Sequence, residues 1–156
     1  MDPELKKFCL DLMASAGDVC VACVDEDGLP QIRVMFNLRN RASFPALVPF
    51  FEKHEDDFLV TLATNTSSPK VRQLRARPEI AVLYSDNPKF HSLMVSGRAE
   101  FVDDIGIKKA LWQNGWEIFY PGGPSDPDYT VVRLRPVKAK GWRGDNPYSF
   151  SLPAGR

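Results

Sequence analysis

The stretch that most limits the fold is a strict alternation in which Ile32, Val34, Phe36 and Leu38 interleave with Gln31, Arg33, Met35 and Asn37. Side chains that change character at every residue belong to an extended strand, because successive Cβ atoms point to opposite faces of a sheet. One face of this strand, expected over Leu29 to Leu38, is apolar and the other carries an arginine. Just upstream, Glu26-Asp-Gly28 has turn chemistry and follows a β-like run from Asp18 to Asp25. Two such runs flanking a short Gly-containing turn read as a hairpin.

The same reading places further strands over Phe58 to Ala63, Glu79 to Tyr84, Phe90 to Val102 and Tyr129 to Trp142. Gly97 is expected to bend or bulge its strand, and Pro136 to mark an interruption or an edge. A first helix is expected over Pro3 to Ser15, where Leu5, Phe8, Cys9, Leu12 and Met13 recur at helical spacing. Short helices follow around Leu47 to His54, after Pro69, and from Asp103 or Asp104 through Trp112, while the tail beyond Gly144 shows no pattern. Six strands joined mostly by hairpin-length connections, with few helices, predict a mainly β, antiparallel barrel with helices at its margins. The βαβ alternation of a parallel sheet is missing, as are GxGxxG and GxxxxGK[ST] sequences. One domain over residues 1–156 is expected.

Charge and composition narrow the function. Twenty basic and twenty acidic residues cancel, leaving no net field to gather nucleic acid. The apolar runs fall well short of the ~20 residues that a membrane span needs. Met1-Asp-Pro-Glu-Leu-Lys-Lys7 lacks the order of a secretory signal, and three cysteines suggest no disulfide framework. The expectation is a cytoplasmic protein that binds neither nucleic acid nor membrane.

The segment Thr64-Asn-Thr-Ser-Ser-Pro-Lys-Val-Arg-Gln-Leu74 packs four hydroxyls and a lysine into one strand-to-helix turn. Ser67 or Ser68 suits an N-cap and Pro69 the first helical position, which needs no amide donor. The same helix end favours an anion, with Lys70 adding a cation and Arg72, Arg75 and Arg77 making the neighbourhood positive. Spacing alone leaves both readings open: a capped helix with a solvated basic face, or an anion site.

The order of these pieces resembles the pyridoxamine-phosphate-oxidase-like superfamily of flavin-binding split barrels, in its general-stress-protein branch. The resemblance runs from about Cys20 to Trp142. It rests on Gln31-Ile-Arg-Val-Met-Phe-Asn-Leu38, Ala63-Thr-Asn-Thr-Ser-Ser-Pro-Lys70, Arg77-Pro-Glu-Ile-Ala81 and Met94-Val-Ser-Gly-Arg-Ala-Glu100, together with the Pro121 to Asp128 loop and Trp142. It implies a six-stranded antiparallel split barrel that binds FMN as a homodimer with flavin sites at the interface. Arg33, Val34 and Met35 would lie along the flavin, Ala63, Thr64 and Asn65 beside its ring and ribityl chain, and Ser68, Pro69 and Lys70 at its phosphate. Ser92 stands where the oxidases often carry glutamine, Leu38 replaces a family lysine, and the arginine-rich C-terminal signature for pyridoxamine phosphate is missing. The resemblance therefore implies a flavin-dependent oxidoreductase with an unassigned small-molecule redox substrate, or a module that binds or stores flavin without turnover. Deazaflavin or haem in place of FMN is a third reading.

Other constellations carry less. Cys20-Val-Ala-Cys23 has metal-like spacing, but residues three apart in a strand face opposite ways, so no metal site is expected. His91 is expected to fill an ordinary strand position and His54 a solvated charged run, and no residue stands out as catalytic acid, base or nucleophile. Trp112, Trp116, Phe119 and Tyr120 suit a core, a dimer contact or a cover for the flavin ring.

Overall fold

The computed structural model describes residues 1–153, and residues 154–156 of the expected domain lie outside the described residues. The first helix, α1 (Pro3–Ser15), starts where the Asp2 carboxylate accepts the Leu5 amide at 3.0 Å and Pro3 fills the first helical position. It buries Cys9, Leu12 and Met13. Strands β1 (Val19–Val24) and β2 (Pro30–Met35) form the expected hairpin, in register from Val19↔Met35 to Val24↔Pro30. Its turn is held by the Asp25 carboxylate, which accepts the amides of Asp27 and Leu29, and by Gly28 at φ 85°, a left-handed conformation that glycine tolerates.

Then come α2 (Val48–Glu52), β3 (Val60–Asn65), α3 (Pro69–Ala76), β4 (Glu79–Asp86), β5 (His91–Val102) and α4 (Ile105–Leu111). Strands β6 (Tyr129–Arg143) and β7 (Asn146–Ser151) close the chain. One antiparallel sheet runs in the order β2-β1-β4-β5-β6-β3, with β7 paired to β6 off that path. This is the six-stranded split barrel expected from the sequence, with a seventh strand added. The long β6 makes the geometry possible. Its first half pairs with β3, its second half with β7, and β5 follows it along both.

The expected bulge lies between Ser96 and Gly97, opposite Pro136. A Cβ on Gly97 would stand 2.9 Å from Leu134 Cδ1 and 3.0 Å from the Arg135 carbonyl, so only glycine allows the strands this close. Two packed cores result. Helix α1 covers one, with Val21, Leu62, Val82, Leu93, Val95 and Leu134 beneath it. Leu38, Leu47, Phe51, Leu111, Trp116, Tyr120, Tyr129 and Val131 make the other.

Three expectations change. The tail beyond Gly144 is a strand, turned by Gly144 at φ 65°, with Tyr148 and Phe150 packed on the first core. Strand β2 ends at Met35, so Leu38 enters the second core while Ile32, Val34 and Phe36 face outward, the first two 72% and 67% exposed. Strand β3 runs two residues past Ala63, which makes Thr64 and Asn65 strand residues paired with Thr130 and Tyr129.

Candidate functional site

The two ends of the strand path, β2 and β3, flank a cleft of about 240 Å³. Val34, Met35 and Phe36 line one side, and Ala63, Thr64, Asn65 and Lys70 another. Trp116, Phe119 and Tyr120 form an aromatic wall, and Asp18 stands among the lining residues. Six of the ten residues singled out in the sequence thus line one cleft.

The other four lie around or apart from it. Ser68 and Pro69 occupy the start of α3, Pro69 at the first helical position as expected. The Ser68 side chain makes no capping hydrogen bond, and its buried Oγ has no partner among the described residues. A buried hydroxyl without a partner carries a desolvation cost that a ligand acceptor would relieve. Arg33 turns inward beside the cleft, donating from Nη1 to Cys23 Sγ at 3.0 Å and from Nη2 to Gln73 Oε1 at 3.3 Å. Ser92 is not brought to the cleft by its own chain. It lies on β5 between Ser85 and Trp142, and its carbonyl accepts the Tyr148 hydroxyl at 2.7 Å.

The hydroxyl-rich turn divides into two parts. Lys70 Nζ donates to Thr64 Oγ1 at 2.7 Å, which ties the first turn of α3 to the end of β3. Thr66 and Ser67 are committed elsewhere. Thr66 Oγ1 donates to the Pro127 carbonyl at 2.8 Å, and the Asp128 carboxylate accepts Asn65 Nδ2 at 2.7 Å, the Ser67 amide at 2.7 Å and Ser67 Oγ at 3.2 Å. The Asn65 amide group and then the Ser67 backbone hold the Asp128 carboxyl below the usual carboxylate range. Asp128 is therefore the residue that fixes the turn, and it did not stand out in the sequence.

The expected positive neighbourhood is also smaller than its arginine count. Arg72 pairs with Glu26 at 2.7 Å, Arg75 lies 4.2 Å over the Phe101 ring, and Arg77 donates to the Glu26 carbonyl. All three tie α3 to its surroundings. Arg33 and Lys70 remain, and neither forms an ion pair among the described residues. Burial, and then the charge of Arg33, lower the Lys70 pKa. Two neighbouring cations without an ion pair among the described residues, close to a helix start, make a donor set suited to an anion such as phosphate.

The aromatic wall packs against neighbouring rings. Tyr120 and Tyr129 rings lie 5.0 Å apart, Trp112 and Trp116 5.9 Å, and Tyr129 donates to the Lys108 carbonyl. Burial, with the nearby Asp128 and Asp126, pushes the Tyr120 phenol up to about 12, so it stays a protonated donor. Cys20 and Cys23 face opposite ways as expected, Cys23 buried and Cys20 half-buried. His91 packs edge-on against Phe8 at 4.9 Å.

This architecture is an antiparallel split barrel with a cleft between its terminal strands. A family profile described as Pyridoxamine 5'-phosphate oxidase like matches residues 45–152, more than half the chain, and the chain belongs to that family. A pyridoxine/pyridoxamine 5'-phosphate oxidase of Serratia proteamaculans (strain 568) is 29% identical over 105 residues, which are 67% of this chain and 42% of that protein. The chain thus spans less than half the length of that relative. Among solved structures, a Clostridium acetobutylicum protein related to general stress protein 26 of B. subtilis (pyridoxinephosphate oxidase family) has 29% identity and a TM-score of 0.76, covering 97% of both chains. General stress protein 26 from Bacillus anthracis str. Sterne has 20% identity and a TM-score of 0.72, covering 96% of this chain and 99% of that one. The family and the general-stress-protein branch expected from the sequence both hold. No helix among the described residues is long and apolar enough to cross a membrane.

Proposed function

We propose that the chain is an FMN-binding oxidoreductase acting in the cytoplasm on a small redox substrate, and that it works as a homodimer with flavin sites at the interface. The observation that carries this reading is the Lys70–Thr64 pair lining an aromatic-walled cleft, with the Arg33 charge felt at Lys70 and a Ser68 hydroxyl, two residues from Lys70, that has no partner among the described residues. Lys70 and Ser68 would hold the phosphate, with Arg33 adding charge and Pro69 leaving the helix start open. The β2 backbone at Val34 and Met35 would run along the ring system, with Ala63, Thr64 and Asn65 beside the ring and ribityl chain. When bound, FMN supplies the electron or hydride transfer, and the protein supplies binding, orientation and electrostatics. The Trp116, Phe119 and Tyr120 wall would limit water at the ring face.

The dimer is supported by the outward apolar face of β2. Val34 pairs across to Cys20, Cys20 to Leu83 and Leu83 to Met94, an apolar row across four strands. Ser92 lies on the same sheet face, two residues from Met94, so Ser92 of a second copy would join the site across that interface. A purified chain with a flavin absorption spectrum, bleached by NADH or NADPH, is the expected result. Colour without bleaching by any reductant tried would instead favour a flavin-storage module, and a chain that takes up no added FMN refutes both.

A further inference from the structure

Helix α3 buries Val71, Gln73 and Leu74 against the barrel. Two are apolar, as a packed helix face requires; the third is a glutamine only 8% exposed. Burying an amide costs free energy unless its hydrogen bonds are made. Gln73 Oε1 accepts from two groups, Cys23 Sγ at 3.2 Å and Arg33 Nη2 at 3.3 Å, while Arg33 Nη1 donates to the same sulfur at 3.0 Å. The guanidinium is therefore held at two points by neutral acceptors, one from β1 and one from α3. Gln73 is three residues from Lys70, and residues so spaced share a helix face. Gln73 thus holds the Arg33 guanidinium near enough to Lys70, which lines the cleft, for the two like charges to act on each other.

We propose that Gln73, supported by Cys23, is a positioning residue that fixes Arg33 beside Lys70 without neutralising it, and so sets the preference for a phosphorylated over an unphosphorylated flavin. This rests on the flavin reading above. A carboxylate at position 73 would hold the guanidinium as well or better, but would cancel the charge meant for the ligand. A leucine would fill the volume and release the guanidinium. A neutral acceptor does both jobs: it orients the cation and leaves its charge uncancelled.

The test is fluorescence titration of the full chain, wild type and Gln73→Glu, with FMN and with riboflavin, alongside thermal melts. Gln73→Glu is nearly isosteric, and its ion pair with Arg33 keeps the fold, so its melting temperature is expected to be no lower than wild type. Its FMN affinity is expected to fall by about tenfold or more, the scale of one charge-assisted contact, with riboflavin affinity unchanged. Gln73→Leu is expected to lower the same FMN-to-riboflavin ratio. An unchanged ratio in Gln73→Glu overturns the positioning role while leaving the phosphate site standing. A wild type that binds FMN no better than riboflavin overturns the phosphate site, and this proposal with it.

Discussion

Replacing Lys70 by alanine removes the cation that reaches across the start of α3 to Thr64 Oγ1 at 2.7 Å. In the proposed complex that ammonium meets a phosphate dianion, and loss of such a contact costs ~1.5–3 kcal/mol, roughly 10- to 150-fold in affinity. The fold should lose little. The truncation gives up one neutral hydrogen bond, a net ~1 kcal/mol, but also relieves the desolvation and the Arg33 repulsion that lower the Lys70 pKa. The two effects oppose each other, so the melting temperature is expected to stay within a few degrees of wild type. Riboflavin has no phosphate and serves as the internal control. Titration monitored by flavin fluorescence should show FMN weakened at least about tenfold and riboflavin unchanged. Equal FMN affinity in wild type and Lys70→Ala would refute the phosphate assignment, because the same geometry would then be serving only the turn.

Gly141→Ala is expected to destabilise the fold by about 3 kcal/mol in chemical denaturation, because a Cβ there would overlap the Ser92 carbonyl and lie 2.7 Å from the Tyr148 hydroxyl. Gly17→Ala, with nothing within 4 Å, is the matched control and is expected to be near neutral. The depressed Asp128 carboxyl contributes stability that is present above the unfolded value, near ~3.9, and lost as pH falls through its lower folded value. Melting temperature against pH should therefore fall less steeply on the acid side in Asp128→Asn than in wild type. Ile32→Asp, on the outward face of β2, is expected to convert a dimer into a species near the chain mass of 17.5 kDa by light scattering; a wild type already of that mass sinks the dimer.

What could be read from the sequence was local. The β1–β2 hairpin followed from Asp25-Glu-Asp-Gly28 and the alternation after it, and the bulge followed from Gly97 with Pro136. The helix start at Ser68-Pro69 was legible because turn chemistry acts within a few residues. Contacts between distant segments were not. Asp128 reaches Asn65 across 63 positions, and no spacing rule links the two. Gln73 did not stand out in the sequence, since nothing in α3 alone indicates that Cys23 and Arg33 lie beneath it. Strand β7 was missed because its alternation, Tyr148 and Phe150 against Ser149 and Ser151, is short and starts beside Pro147.

The most informative disagreement concerns β2. An alternating strand at a sheet edge ordinarily turns its apolar face to the core, yet here Ile32, Val34 and Phe36 face solvent while Gln31, Arg33 and Met35 turn inward. A one-residue register slip would reverse this, exposing the arginine and burying the valine. The hairpin turn and the Arg33 contacts with Cys23 and Gln73 hold the observed register instead. An arrangement that leaves large aliphatic side chains in water is offset when a second surface covers them. Val34 belongs to that exposed row and also lines the cleft. In the proposed dimer one strand would carry both the surface for a second copy and a wall of the ligand site, so burial of the row would also order that wall. In the proposed dimer, flavin binding and association are thermodynamically linked: whichever comes first orders β2 for the other, and each strengthens the other by the same factor.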